Sequence, residues 1–348
     1  MTAGDGLVTR LWYGDSPWVW LLAPFSALFA AASAVRRLLY RRGVWRAVDV
    51  GRPVVVVGNV SVGGTGKTPV TLWLAQQLKA RGRRPGIVSR GYRGRLGPRP
   101  VHVRTDSDPA VVGDEPLLME RRRVCPVVVH PDRVAAARML VDMDCDVIVA
   151  DDGLQHYRLG RQYEIAVIDG RRGFGNGRLL PAGPLREPVS RLAQVDRILV
   201  QYEPTAADRD LRALPGGVPH SSFALVAGMA RHVRDGRAVR LAAFRGQTVH
   251  AVAGIGHPGR FFRLLQAHGI EVIPHAHPDH ATLEERHLRF EDGRHVLLTE
   301  KDAVRCRDIA PDNCWYVPVE VALDEGESVE WVDTMTRAID GRAGKAVP

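Results

Sequence analysis

The sequence contains few cysteines and no pattern typical of zinc fingers or helix-turn-helix proteins. Its four cysteines show no C-x-x-C spacing, so a reducing cytoplasm with inert thiols is the simplest account. Basic residues form no long run interleaved with aromatic residues, which makes a nucleic acid the weakest candidate partner. There is no internal repeat, low-complexity tract or heptad pattern, and nothing in the sequence therefore demands an obligate protein partner.

The composition indicates a folded, basic protein. The 348 residues have room for roughly two domains and a sizeable core. A hydrophobic content of 45 % argues against global disorder. The formal net charge is +9, and arginine is strongly favoured over lysine. This charge suits an anionic partner such as a membrane surface or a phosphate-bearing substrate.

The most informative motif is a glycine-rich loop between an apolar run and a helical stretch. Four valines at 54–57 predict a buried strand, and the segment that follows is Ser61-Val62-Gly63-Gly64-Thr65-Gly66-Lys67-Thr68. In a P-loop the glycines let backbone N–H groups converge on a triphosphate, the lysine reaches the outer phosphates, and the hydroxyl holds Mg²⁺. The usual pattern begins with glycine where this chain has Ser61, so the motif is a variant. Residues 61–68 predict a nucleotide site for ATP with Mg²⁺.

Two carboxylates follow a second strongly apolar strand. Residues 146–150 predict this strand, and Asp151 and Asp152 come directly after it. P-loop enzymes place the acid that organises Mg²⁺ at such a strand end. Paired aspartates can also merely cap a turn, but the P-loop upstream favours the metal role. Gln155 and His156 follow closely and are expected to project near the same metal.

Phosphoryl transfer to an alcohol also needs a group that accepts the hydroxyl proton. Two segments carry candidates, namely Gly113-Asp114-Glu115-Pro116 and His277-Pro278-Asp279-His280. From chemistry alone, each segment is evenly divided between a functional role and a surface turn.

The amino end contains a long stretch without charge. Residues 16–35 carry no charged side chain and are followed by several arginines. The apolar residues recur at helical spacing, which favours a helix lying on a membrane surface, with its arginines drawn to anionic headgroups. A membrane-spanning helix, a signal peptide and a helix buried in its own domain are the alternatives. The apolar stripe consists of Trp18, Leu21, Leu22, Phe25, Leu28 and Phe29.

Strands alternating with helices predict an α/β fold. We expect a P-loop NTPase-type, mostly parallel sheet with helices on both faces, a smaller C-terminal α/β domain and an N-terminal apolar helix. The predicted domains are 1–45, 46–220 and 221–348. Helices are predicted at 69–81 and 133–143, and strands at 54–57, 85–89, 125–130, 146–150, 165–168, 198–201, 249–253, 271–273, 295–299 and 314–317.

Eight segments in order resemble one family. They are Gly58-Asn59 with Gly63-Gly64-Thr65-Gly66-Lys67-Thr68-Pro69, Ser89-Arg90-Gly91-Tyr92, Gly113-Asp114-Glu115-Pro116, Asp151-Asp152-Gly153-Leu154-Gln155-His156, Leu180-Pro181-Ala182-Gly183-Pro184-Leu185-Arg186-Glu187-Pro188, Gly254-Ile255-Gly256-His257-Pro258, Asp279-His280 and Thr299-Glu300-Lys301-Asp302-Ala303. This set closely resembles tetraacyldisaccharide 4′-kinase of the lipid A pathway in Gram-negative bacteria. The similarity extends from about residue 10 to residue 320.

The resemblance implies an activity and a set of residues. The family transfers the γ-phosphate of ATP to the 4′-hydroxyl of an acylated glucosamine disaccharide 1-phosphate, giving lipid IVA, at the cytoplasmic face of the inner membrane. By motif, Lys67 and Thr68 would serve the phosphates and Mg²⁺. Asp151, Asp152 and Glu187 would lie at the metal.

The resemblance also implies a proton acceptor. Asp114 would be the general base, tuned by His280 as a dyad, with Asp279 beside it. The preceding His277 is extra to the family pattern, and we assign it no role.

Three further basic residues have open roles. Arg90, Arg186 and Lys301 are candidates for contacts with substrate or phosphate, and for each a structural ion pair is the alternative.

Two other classes of nucleotide-binding protein are alternatives for this sequence. A membrane-recruited P-loop ATPase switch commonly has lysine just before the paired glycines, where this chain has Val62. A nucleotide-dependent metallochaperone needs Cys or His clusters at ligand spacing, and His277 with His280 are too few.

Overall fold

The computed structural model of the chain describes residues 8, 10–14, 16–92, 94–202, 214–279 and 281–341. Within these residues the strands form a nine-stranded and a six-stranded sheet. The strands are β1 Val54–Gly58, β2 Pro85–Ser89, β3 Val101–His102, β4 Val127–Val129, β5 Val147–Asp151, β6 Tyr163–Asp169, β7 Arg197–Gln201, β8 His220–Ala227, β9 Ala230–His232, β10 Ala238–Val239, β11 Thr248–Ala253, β12 Glu271–Ala276, β13 Val296–Thr299, β14 Cys314–Val317 and β15 Val319–Ala322. The helices are α1 Val19–Arg41, α2 Lys67–Ala80, α3 Pro109–Val112, α4 Asp114–Arg121, α5 Arg133–Asp142, α6 Pro258–Ala267, α7 Glu300–Cys306 and α8 Glu325–Gly341.

The larger sheet places three loops side by side. Its strand order is β15-β8-β7-β6-β1-β5-β2-β4-β3. The central strand β1 is parallel to β5 on one side and to β6 on the other. Parallel strands end at the same edge of a sheet, where α/β proteins bind ligands. The glycine loop after β1 is therefore flanked by the loops that follow β5 and β6.

Strand β1 is covered on both faces, as a buried parallel strand requires. Its four valines are at most 1 % exposed, and burying each contributes about 1.5–3 kcal/mol. Val55 and Val57 pack in one cluster with apolar residues of α2, while Val54 and Val56 pack in another with apolar residues of α5. The predicted α/β fold with helices on both faces is confirmed.

The smaller sheet forms the C-terminal α/β unit. Its order is β10-β9-β14-β13-β11-β12, and the four strands from β14 to β12 are parallel. Helix α6 packs against it through Phe261 and Leu265, which lie in a cluster with Val249 and Leu297. This unit carries the Gly254-Ile255-Gly256-His257-Pro258 segment directly after β11.

The sheets do not follow the predicted division at residue 220. Strand β8 continues the larger sheet beside β7, and β15 pairs antiparallel with β8. The chain thus returns to the larger sheet after completing the smaller one. Helix α8 then packs on α2, with the rings of Trp73 and Trp331 5.5 Å apart. The prediction of a separate unit from 221 to 348 therefore differs from the observed sheets in its first strand and last elements.

The amino-terminal helix α1 exposes an apolar face. Trp18, Phe25 and Leu28 are 63 %, 62 % and 70 % exposed, and Val19 is the helix's one buried residue. The opposite side is held by Ser26, whose hydroxyl donates to the Leu179 carbonyl (2.8 Å) and accepts from the Ala182 N–H (2.9 Å). In the described part of the chain, α1 is the one helix long and apolar enough to cross a membrane. The alternative of a helix buried in its own domain is wrong.

Candidate nucleotide and phosphoryl-transfer site

The glycine loop has the backbone geometry of an anion cradle. Gly63 and Gly66 have φ angles of +108° and +82°, a region that glycine adopts without strain. Helix α2 begins at Lys67, so its amino end and its partial positive charge face the loop. The side chain of Asn59 donates to the Thr65 hydroxyl at 3.2 Å. The loop therefore has the positive-φ glycines and the helix start that an anion cradle needs, and the nucleotide role of residues 61–68 stays a prediction.

Lys67 and Asp152 meet at the mouth of this cradle. Lys67 Nζ lies 3.6 Å from Asp152 Oδ1, and Arg186 Nη1 donates to both carboxylate oxygens of Asp152 at 2.9 Å. Burial by itself would raise the pKa of Asp152, but the charges of Lys67 and Arg186 outweigh it and lower the pKa to about 2. Asp152 is therefore an ionised carboxylate at neutral pH.

The pKa of the neighbouring Asp151 is shifted in the opposite direction. Its side chain accepts hydrogen bonds from the hydroxyls of Thr71 (3.2 Å) and Ser89 (3.4 Å). Burial and the negative charges of Glu115 and Asp152 raise the pKa of Asp151 to about 7. A buried carboxylate with a raised pKa is stabilised by any cation that reaches it.

The donor set here fits Mg²⁺ with a nucleotide. Thr68, Asp151 and Asp152 offer hard oxygen ligands, and Mg²⁺ usually takes one or two carboxylates together with waters and substrate phosphates. Among the described residues, no group of three or more His, Cys, Asp and Glu side chains could hold a metal by themselves. The oxygen donors of Thr68, Asp151 and Asp152 fit a Mg²⁺ ion that is also bound by substrate phosphates.

Glu187 lies beside this site but is already engaged. Its carboxylate accepts from the Tyr157 hydroxyl and from Gln155 Nε2 (3.1 Å). Arg37 of α1 lies 3.6 Å from it and Arg191 lies 3.9 Å from it. These contacts link Glu187 to the amino-terminal helix, and its predicted metal role stays a prediction.

Backbone pairing holds the Arg186 segment against the glycine loop. The Arg186 N–H donates to the Val60 carbonyl at 2.7 Å, and the Val62 N–H donates to the Pro184 carbonyl at 2.8 Å. This pairing explains how residues more than a hundred positions apart come together.

Arg133 contacts the backbone of Asp151, and its charge also acts on His156. Burial, with repulsion from Arg133 and Arg161, lowers the pKa of His156 to about 4, so its ring is neutral. Arg133 is 2 % exposed and donates to the backbone carbonyl of Asp151 at 2.6 Å. Sequence reasoning missed Arg133, which carries no signal beyond its place at a helix start. Arg90 is exposed at the end of β2, and its charge is one cause of the lowered pKa of Arg133.

The predicted base Asp114 is paired with an arginine of the smaller unit. Arg305 of α7 binds both carboxylate oxygens of Asp114, with Nε 2.7 Å from Oδ1. Arg305 also donates to the Ala281 carbonyl at 3.1 Å. His280, the predicted partner of Asp114, lies outside the described residues. Sequence reasoning missed Arg305, although it stands on the helix that begins at the recognised Thr299-Glu300-Lys301 segment.

Lys301 and Asp279, two more residues predicted from the sequence, lie next to each other near the Asp114 segment. Lys301 Nζ lies 3.4 Å from Asp279 and 3.8 Å from Glu115. Helix α7 therefore brings the segments around Asp114 and Asp279 together. His277 packs its ring 5.0 Å from that of His287, and it still has no assigned role.

Comparisons with known proteins agree on one family. The sequence model described as Tetraacyldisaccharide-1-P 4′-kinase matches residues 18–337. A protein named Tetraacyldisaccharide 4′-kinase from Alkalilimnicola ehrlichii is 52 % identical over 86 % of this chain and 87 % of its own length. One of the same name from Nitrosococcus oceani is 47 % identical over 93 % of this chain and 92 % of its own length. The crystal structure of LpxK from Aquifex aeolicus in complex with ATP superposes with a TM-score of 0.78 at 28 % identity, covering 92 % of this chain and 99 % of that one.

Proposed function

The chain belongs to the tetraacyldisaccharide-1-P 4′-kinase family, and from this premise we propose how its residues carry out phosphoryl transfer. It is an ATP-dependent kinase of lipid A biosynthesis. It transfers the γ-phosphate of ATP to the 4′-hydroxyl of a tetraacyldisaccharide 1-phosphate. The observation that supports this function best is the group formed by Lys67, Asp151 and Asp152 at the glycine loop.

The phosphates of ATP bind the loop at residues 61–68. Backbone N–H groups and the amino end of α2 attract them, and Lys67 turns from Asp152 to the outer phosphates. Arg186 then keeps Asp152 ionised. Mg²⁺, held by Thr68, Asp151 and Asp152, would neutralise charge on the phosphates. Glu187, which follows Arg186 in the chain and holds α1 through Arg37, remains a further proposed ligand of the metal.

Asp114 accepts the proton of the 4′-hydroxyl in this proposal. General-base assistance is worth about 10²–10⁴ in rate. The structure pairs Asp114 with Arg305, and this bond has to open before Asp114 can take a proton. His280 remains the proposed partner of Asp114, and the Arg305 contact to Ala281 supports it by holding the adjacent residue near Asp114.

The exposed face of α1 is proposed to lie on the cytoplasmic surface of the inner membrane. The acceptor lipid resides in that membrane, and the apolar side chains of α1 face away from the protein. The Ser26 hydroxyl holds the other side of the helix by donating to the Leu179 carbonyl and accepting from the Ala182 N–H. These bonds favour a helix lying on the surface over one that crosses the bilayer alone.

The test is whether ATP consumption depends on the lipid acceptor. We expect negligible hydrolysis by the purified enzyme in detergent micelles, and stoichiometric ADP formation when the acylated disaccharide 1-phosphate is added. Rapid hydrolysis that ignores the acceptor would instead indicate the ATPase switch.

A further inference from the structure

The loop after β6 places an arginine against the glycine loop, on the side opposite the metal aspartates. Strand β6 lies next to β1, while β5 with Asp151 lies on the other side of β1. Arg172 follows the end of β6 by three residues. A Cβ atom built on Gly63 would lie only 2.8 Å from Arg172 Nη1. Gly63 is therefore required for its positive φ, and the guanidinium of Arg172 lies directly beside it.

The backbone of this loop is fixed by Asp169. Its Oδ1 accepts from the N–H groups of Arg171 (3.1 Å) and Arg172 (3.2 Å). Arg260 of α6 donates to both oxygens of Asp169 at 2.8 Å. The carboxylate nearest to Arg172 along the chain is thus already bound to another cation.

An imidazole and an aromatic ring contact the guanidinium of Arg172. Its Nη2 contacts Nε2 of His257, the residue before α6, and its Cζ lies 5.2 Å from the ring centre of Tyr13. Burial, with repulsion from Arg172 and Arg260, lowers the pKa of His257 to about 4, so a neutral ring accepts the bond. Among the described residues, no carboxylate lies within ion-pair distance of Arg172. Burial lowers the pKa of Arg172 and outweighs the opposing effects of Tyr13 and Asp169, so this guanidinium is stabilised by an incoming anion.

We propose that Arg172 binds the γ-phosphoryl group of ATP at Gly63 and stabilises its charge during transfer, with His257 as the residue that positions it. This inference rests on the kinase function proposed above. It adds a cation on the side of the phosphate that Lys67 and the metal aspartates leave uncovered. Arginines that act in this way in other phosphoryl-transfer enzymes are worth about 10³–10⁵ in kcat.

The experiment compares Arg172→Gln and Arg172→Lys with Arg171→Gln, whose arginine is the exposed neighbour. Affinities for ADP and for the β,γ-imido analogue of ATP are measured with the full-length protein, together with kcat on the lipid acceptor. We expect Arg172→Gln to weaken analogue binding by about tenfold or more, since a bond to a charged group is worth roughly 1.5–3 kcal/mol. ADP affinity should stay within twofold, and kcat should fall by about 10³. Arg172→Lys should recover part of both losses, and Arg171→Gln should match the wild type.

A purely structural role for Arg172 predicts a different pattern. His257→Ala frees the guanidinium from its partner, so it should reduce analogue affinity and kcat less than Arg172→Gln does. If His257→Ala and Arg172→Gln gave equal losses, or if the ratio of analogue to ADP affinity stayed at the wild-type value, the proposal would be overturned. Nucleotide binding needs no lipid, so a wild type that fails to phosphorylate the lipid would contradict the kinase function and leave the binding test intact.

Discussion

Replacing Asp151 by asparagine should stabilise the unliganded protein, whereas the same replacement of the adjacent Asp152 should destabilise it. Asp151 has a pKa of about 7 in the fold against an ordinary value of 3.8. Its carboxylate therefore destabilises the unliganded fold as pH rises through this interval. A shift of about 3 pKa units corresponds to roughly 4 kcal/mol above pH 7. Asp151→Asn removes this penalty and should raise the free energy of unfolding at pH 8 by up to that amount.

The stability gained by Asp151→Asn should increase as the pH rises. Below pH 3.8 both states are protonated and the substitution changes little. Between pH 5 and pH 8 the advantage of Asp151→Asn should grow by about 2.5 kcal/mol. With an unfolding entropy of about 2.1 cal/mol/K per residue over 348 residues, 4 kcal/mol corresponds to a Tm increase of about 5 °C.

Asp152→Asn is the matched control. The pKa of Asp152 is lowered to about 2, so its carboxylate stabilises the fold above pH 3.8, and this contribution is lost as pH falls toward 2. Its side chain is 33 % exposed, and solvent screening leaves about 1 kcal/mol. Asp152→Asn should therefore lower Tm slightly at neutral pH.

Thermal unfolding of the nucleotide-free, metal-free protein from pH 5 to pH 8 measures both effects. The difference between each variant and the wild type isolates the substituted group from the other titrations. If Asp151→Asn were less stable than the wild type at pH 8, or if its advantage did not change with pH, the electrostatic account of the site would be refuted.

Three further predictions concern the membrane face, the base and the C-terminal helix. Phe25→Asp with Leu28→Asp should abolish sedimentation with anionic vesicles while ATP binding persists, and Val329→Asp at an exposed position of α8 should leave sedimentation unchanged. Sedimentation of the α1 variant at the wild-type level would contradict the anchoring role. Asp114→Ala should lower kcat by about 10²–10⁴ with ATP affinity within twofold, and a mutant within twofold of wild-type turnover would reject the base assignment. Trp331→Ala removes a 4 % exposed ring that packs on Trp73, and should destabilise the protein by about 3–5 kcal/mol in chemical denaturation; a loss below 1 kcal/mol would show that α8 is not part of the core.

Local patterns predicted the centre of the fold well. The valines of β1, the glycine loop and the start of α2 could be recognised together, because they follow one another directly in the chain. β2 and β14 were predicted with their observed bounds. β8 and β15 were not predicted: β8 alternates between exposed and buried positions in its first half and β15 between half-buried and exposed ones, so neither has the continuous buried run of β1 or β5. The place of β15 in the larger sheet depends on pairing with β8 across almost a hundred residues, which composition cannot reveal.

The site residues divide in the same way. Motifs with several adjacent functional residues, such as Asp151-Asp152 and Gly66-Lys67-Thr68, could be recognised from sequence. Arg133, Arg172 and Arg305 could not, because the chain has 48 lysines and arginines and a lone arginine has no distinguishing pattern. Their contacts arise from tertiary structure. The fold brings Arg172 to the glycine loop, Arg133 to Asp151 and Arg305 to Asp114.

The central claim is tested most directly by phosphate transfer itself. [γ-³²P]ATP is incubated with tetraacyldisaccharide 1-phosphate in detergent micelles, with Lys67→Ala as the control, and the lipid product is separated and analysed for the position of its new phosphate. We predict a labelled 1,4′-bisphosphate with the wild type and none with Lys67→Ala, because Lys67 is the cation proposed for the outer phosphates. ATP binding without a labelled lipid, or label at a position other than the 4′-hydroxyl, would contradict the account.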